Sequence, residues 1–349
     1  MYKRDVLNNI FEDYIIYREL NIVKKNLPNF LKIKDTLSLN FLPRKKDKEY
    51  VKVLSYLIEL IGEFKRVIYI GDTFLNDKSV VENLTALNKY EVFGIITEGK
   101  GERVRHNNII INNRWENLKD IFDELEIKVD KYTIFIVDID KTIIGAKGRN
   151  DLSITKARFD AIKEIANEII GNYDEKKFFE IYQKLNEKKY HSFTEDNQDI
   201  VTLLTILFYL DLYPFSKFLD EFEKGIHIDK LTFLKTILKK TRKSSKFIEL
   251  LKNCILRIEN YDQTPFIEFR YKEFEKTIKR MDFLNDETPQ DILLEEEIMI
   301  TREVYEIICK AKDRDAKVLG LSDKPEASSF PQKGVSLPPI HLKSMKIFP

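Results

Sequence analysis

The sequence predicts an α/β fold: a parallel sheet flanked by helices, with a large all-helical domain set into it. Toward both ends of the chain, short apolar runs rich in β-branched residues alternate with amphipathic stretches, the pattern of strands buried on both faces of a sheet. Between Arg149 and Leu319, by contrast, stand only two glycines (Gly171, Gly225) and three prolines (Pro214, Pro265, Pro289), of 11 and 10 in the chain. That half should be nearly all helix. At about 150 residues per domain, 349 residues suffice for two.

Each element can be justified in order. A helix with Val51, Leu54, Leu57, Ile58 and Ile61 on one stripe precedes the first strand, VIYIGD (67–72). The helix SVVENLTALNK leads to VFGIIT (92–97), and IIIN (109–112) follows. The basic, glycine-containing EGKGERVR (98–105) lacks the spacing of a phosphate-cradling loop and reads as a connection. WENLKDIFDEL is the next helix, ahead of the strand TIFIVDID (133–140). In the helical half, Phe159, Ile162, Ile165, Ile169 and Ile170, and later Leu231, Leu234, Ile237 and Leu238, recur at helical spacing. A polar break at Glu195 to Asp199 and turns near Gly225 and Asp262 to Pro265 divide it into at least five or six helices. Its most apolar run, Val201 to Leu210, is ended by Asp211 and Pro214, short of the roughly 20 residues that cross a bilayer. It reads as a core helix. The helix TREVYEIICKAK then leads to the last strand, KVLGLSD (317–323), and the proline-bearing tail is an irregular wrap or ends in a short strand within IHLKSMKIF. The expected division is 1–148 and 298–349 for the α/β core and 149–297 for the helical domain.

Charge and cysteine usage exclude several classes. With 59 Lys+Arg against 58 Asp+Glu, nothing pulls the chain toward nucleic acid or an anionic membrane, and neither partner is expected. Cys254 and Cys309 lack metal-ligand spacing and read as reduced, buried thiols. His106, His191, His227 and His341 are scattered without a helical pair, which argues against zinc. The start has no apolar export segment, so a cytoplasmic location is expected.

In an open parallel sheet, ligands bind outside the carboxyl ends of the strands. Three proposed strands finish in polar chemistry: Gly71-Asp72, Asp138-Ile139-Asp140 and Ser322-Asp323. Acids crowded at strand ends repel unless a cation or proton lies among them, and magnesium suits an all-oxygen set of carboxylates, waters and a phosphate. Asp72 and Asp77, in GDTFLND, add two acids at the start of the following helix.

Together these segments resemble the haloacid dehalogenase superfamily of phosphohydrolases. DIDKT (138–142) has the form D-x-D-x-T after an apolar strand, VLGLS ending at Ser322 is similar to the second motif, RKKDKEY (44–50) to the lysine segment, and GDTFLND (71–77) to the acidic fourth motif. The resemblance implies that Asp138 is the nucleophile forming an aspartyl-phosphate and Asp140 the general acid and base. It implies Mg2+ held by the Asp138 carboxylate, the Asp140 main-chain carbonyl and Asp72, with Asp77 in support. Ser322, Lys45 and Thr142 would bind the phosphoryl group, with Lys46 a close competitor of Lys45. The motifs run lysine, acidic, nucleophile, serine, an order that circular permutation of the family pattern would produce. The helical half, between DIDKT and Ser322, falls where the family inserts its cap. The implied partner is a small phosphorylated metabolite. Alternatives are a phosphomutase or other phosphotransferase of the same chemistry, a catalytically silent binding protein, and, less well matched, a D-x-D glycosyltransferase.

Overall fold

In a computed structural model, which describes residues 1–226, 229–241 and 245–348, seven strands form one sheet. They are β1 (Ile15–Ile16), β2 (Arg66–Gly71), β3 (Glu91–Thr97), β4 (Val104–His106), β5 (Ile109–Asn112), β6 (Thr133–Asp138) and β7 (Lys317–Leu321). Their order across the sheet is β1-β7-β6-β2-β3-β5-β4, with every pair parallel except β4 on β5. The five strands expected from sequence are β2, β3, β5, β6 and β7. β1, two buried isoleucines, is too short to show a strand's pattern, and β4, expected as part of a connection, is exposed along its length. Arg4–Asp5 pairs separately with Met345–Lys346, the short strand expected in the tail.

The chain forms two compact units, one of residues 1–157 and 277–349 and the other of residues 158–276. The first contains the sheet. Its core joins the inward faces of β2, β3 and β6 to the helices Lys48–Ile61 and Asn76–Ala86. Val51, Leu54, Leu57 and Ile58 are buried along one stripe of the first helix, each stabilising by roughly 1.5–3 kcal/mol. All six residues of β6 are buried, which explains its unbroken apolar run.

The second unit is helical wherever it has regular structure among its described residues. The helix Gln198–Tyr209 is buried from Asp199 to Phe208, as its all-round apolar sequence requires. Glu195 and Asp196 hold positive φ (57° and 53°) at the expected polar break, and the Asn197 side chain caps the helix that follows. His227 lies outside the described residues.

This helical unit is shorter than the 149–297 read from composition. The excluded margins are tied into the first unit: Asn150 Nδ2 donates to the carbonyls of Leu294 (2.6 Å) and Glu297 (2.9 Å), and Lys156 pairs with Glu295 at 2.6 Å. Lys346 closes on Glu297 at 2.7 Å, both fully buried. Helical composition alone does not reveal which core a helix joins. Among the described residues no helix is long and apolar enough to cross a membrane. Cys254 is buried, whereas Cys309 is only half-buried.

Candidate functional site

The sheet changes direction at β6. From β2 the chain builds outward through β3 and β5, then returns to place β6 beside β2, with β7 on its other side. A crevice outside the carboxyl ends of the strands is expected at such a switch point. Asp138 ends β6, Asp72 follows β2 and Ser322 follows β7.

Lys45 reaches this place from the loop before the helix Lys48–Ile61. There the Arg44 N–H donates to Asp47 Oδ2 (2.8 Å) and the Asp47 N–H to the Arg44 carbonyl (2.8 Å). In that tight turn Lys45 faces inward, 3% exposed, while Lys46 is exposed, so Lys45 is the lysine that meets the acids. Lys45 Nζ donates to Asp138 Oδ1 at 2.5 Å and to Asp77 Oδ1 at 2.9 Å, with Asp323 Oδ2 3.6 Å away.

Asp77 is the most heavily bonded acid of the group. Its Oδ1 also accepts from the Tyr69 hydroxyl (2.6 Å), and its Oδ2 accepts the N–H groups of Asp72 (3.0 Å) and Thr73 (2.8 Å). The carboxylate sits so close to the strand end that a Cβ on Gly71 would lie 2.6 Å from Oδ2, so glycine is required there. Asp72 is held by the Thr73 hydroxyl (3.0 Å) and by Lys147, whose Nζ donates to the Asp72 carbonyl (2.5 Å) and lies 3.3 Å from its Oδ2. Lys147 is itself fixed through its own carbonyl, which accepts from Trp115 Nε1 (3.0 Å).

After β6 the chain reverses with Lys141 at a φ of 63°, and the Thr142 hydroxyl donates back to Asp138 Oδ2 at 3.1 Å. Thr142, expected among the phosphate ligands, is fully buried and spends its hydroxyl on orienting Asp138. Asp140 is half-buried, and its Oδ2 accepts from Ser322 Oγ at 2.6 Å. Arg149 pairs with both oxygens of Glu303 (2.8 Å each) and packs over the Phe348 ring, a structural role.

The electrostatics follow from burial and crowding. Burial pushes the Asp138 carboxyl well above the ordinary carboxylate range; Lys45 opposes the rise, and Asp77 and Asp72 add to it. Burial, then Asp77, also raises Asp72, against the pull of Lys147. For Asp77, burial works upward but is outweighed by Lys45, the Tyr69 hydroxyl and the Thr73 N–H, which hold it below its usual value. Burial disfavours the charge on Lys45, but Asp138, Asp323 and Asp77 keep it firmly protonated.

Carboxylate oxygens of Asp72, Asp77 and Asp138 all lie within 4.8 Å of one another, spacing that could hold a metal ion, and the three are buried. Asp77 already accepts four hydrogen bonds, which leaves Asp72 and Asp138 the freer to ligate. The Asp140 carboxylate is not part of this trio and faces Ser322. The structure therefore brings Lys45, Asp72, Asp77, Asp138, Asp140, Thr142 and Ser322 together. It adds Tyr69 and Lys324, which sequence reasoning missed, and Asp323, noted only as a polar strand end, and it puts Lys147 on Asp72. For Tyr69 the signal was a phenol within VIYIG, since a buried hydroxyl needs a partner. Compared with family models, curated proteins and solved structures, the chain matches none.

Proposed function

We propose that this chain is a magnesium-dependent phosphatase of the haloacid dehalogenase type, circularly permuted, that acts on a small phosphorylated metabolite. One observation carries the reading: Lys45, Asp72, Asp138 and Ser322, from four distant stretches of sequence, converge at one end of one sheet. The three motif-bearing strands β2, β6 and β7 are neighbours although their chain order differs from the family's, as permutation requires. The helical unit lies in sequence between Asp140 and Ser322, where the family carries its cap.

The donor set fits a hard divalent cation, because it is all oxygen and rich in buried acids. Asp72, Asp138 and the Asp140 carbonyl would hold magnesium, which supplies the positive charge that lets an anionic nucleophile meet a phosphate dianion. Asp138, oriented by Thr142 and Lys45, attacks phosphorus through a carboxylate oxygen, and the bond from phosphorus to the leaving oxygen breaks. Asp140 gives that oxygen a proton. Asp140 then takes a proton from water as the water attacks the acyl phosphate, which breaks the bond to Asp138 and frees the carboxylate and inorganic phosphate. To bind the phosphoryl group, Ser322 must turn its hydroxyl from Asp140 to a phosphoryl oxygen, which also frees Asp140 for proton transfer.

The test is a panel of phosphorylated metabolites assayed with magnesium. Release of inorganic phosphate is expected, abolished by EDTA and by Asp138→Asn, with a phosphoryl adduct on Asp138 in acid-quenched protein. Undiminished turnover by Asp138→Asn would overturn the nucleophile assignment, and transfer to a second phosphate acceptor would identify a phosphotransferase instead.

A further inference from the structure

Lys324 takes no part in the steps above, yet it stands inside the same site. It is 7% exposed, and its main chain is fixed on both sides. Its N–H donates to Ser322 Oγ (3.1 Å), its carbonyl accepts from the Arg18 N–H (3.1 Å), and Arg18 Nε donates to the Asp323 carbonyl (2.6 Å). The side chain reaches Asp140, with Nζ 3.0 Å from Oδ1. Despite that distance, neither Nζ nor Oδ1 makes a hydrogen bond, and both are buried. Proximity gives attraction between the charges, but direction decides hydrogen bonding, so the N–H groups of this ammonium remain unspent. A buried ammonium paired in charge but without a well-aimed acceptor is costly, and a ligand that brings aligned acceptors recovers part of the cost.

Lys45, the cation that the family resemblance assigns to the phosphoryl group, already gives two of its three N–H groups to Asp138 and Asp77. Lys45 thus has one N–H group left for a phosphate dianion at Ser322, and a second ammonium beside that serine would add to it. We propose that Lys324 is that second ammonium, a ligand for a tetrahedral oxyanion, the transferred phosphoryl group or the inorganic phosphate product, seated against Ser322. This rests on the phosphatase reading and extends it, since the serine loop then supplies both a hydroxyl and a charge.

Two measurements test it, with magnesium present: calorimetric titration with inorganic phosphate, and steady-state hydrolysis of p-nitrophenyl phosphate with phosphate as inhibitor. Lys324→Met is expected to weaken phosphate binding about tenfold or more and to raise KM, the loss typical of one charge-assisted hydrogen bond. Lys324→Arg, which keeps the charge, should bind phosphate within a few-fold of wild type. If Lys324→Met does not fold, Lys324→Gln is held to the same tenfold loss. A fall in kcat with phosphate affinity and KM unchanged would overturn the proposal and make Lys324 a positioning residue for Asp140. Should wild type neither bind phosphate nor hydrolyse any monoester, the phosphatase reading itself would fall, an outcome distinct from the failure of Lys324 alone.

Discussion

Each compact unit of this protein buries a cluster of charge, and the two clusters are balanced differently. In the helical unit, Arg270 donates to Asp199 Oδ1 and Glu273 Oε2 (2.8 Å each), and Arg158 meets the other oxygen of Glu273 at 2.9 Å. Two acids face two guanidinium groups, and all but Arg158 are almost fully buried. At the strand ends of the first unit, five carboxylates (Asp72, Asp77, Asp138, Asp140, Asp323) face three ammonium groups (Lys45, Lys147, Lys324). The first arrangement is closed in charge: two guanidinium groups meet two acids through single charge-assisted hydrogen bonds, and the formal charges cancel. The second keeps a negative surplus in a partly buried place, where burial and crowding raise the Asp138 and Asp72 carboxyls and a cation would relieve the repulsion. Closure marks structure, and surplus marks a site.

The sharpest way to break this contrast is to remove one partner from the closed cluster. Arg270→Met should take from Asp199 and Glu273 the buried guanidinium they share, leaving Glu273 to Arg158, and cost about 3–5 kcal/mol in urea denaturation, the usual penalty for breaking a buried ion pair from one side. A loss below about 1 kcal/mol would mean that the two acids re-solvate, and the closed cluster would then be no keystone of the helical core.

Removing an acid from the surplus cluster should act in the opposite sense. Asp72→Asn keeps an acceptor for the Thr73 hydroxyl and the carbonyl that binds Lys147, and it relieves repulsion with Asp77. Metal-free protein should gain about 1 kcal/mol, as substitutions at strained functional sites often do. Magnesium should raise the unfolding temperature of wild type but not of Asp72→Asn, because binding to the native state alone stabilises it. If Asp72→Asn destabilises the metal-free protein, Asp72 is a structural acid, and the surplus argument fails at that residue.

How far these clusters were legible in the sequence follows from the same distinction. Asp138, Asp140, Asp72 and Ser322 stood out because each follows a short apolar run, and strand ends are where a parallel sheet presents its ligands. The burial of Lys45 rather than Lys46 was not legible, since it depends on the Arg44–Asp47 turn, a matter of a single residue in phase. Lys324 was hidden because a lysine followed by Pro325 in a polar loop reads as solvated surface, and only the fold of the serine loop onto Arg18 buries it. Asp199 and Arg270 lie 71 residues apart on separate helices, and no spacing rule joins them. For the same reason composition does not set the margins of the compact units: side chains such as Asn150 and Lys156 tie the helix ends at 150–157 to residues 294–297.

A third ionic arrangement, on the surface of the helical unit, sets the lower bound of the comparison. Glu164 pairs with Lys272 at 2.6 Å and with Lys276 on the adjacent helix face, and hydrogen bonds from these two lysines lower its carboxyl from 4.5 to about 2. A depressed carboxyl pKa means that the pairing stabilises the fold above the unfolded value and that this contribution is lost as pH falls toward about 2. The side chain is 31% exposed, so solvent screening reduces the contribution to under about 1 kcal/mol. Glu164→Gln should lower the unfolding temperature slightly at about pH 7 in dilute salt, and the difference should shrink near pH 3 and in concentrated salt. A loss that is the same at both pH values and at every salt concentration would trace to packing rather than charge, and the surface pair would then differ in kind, not only in size, from the buried clusters.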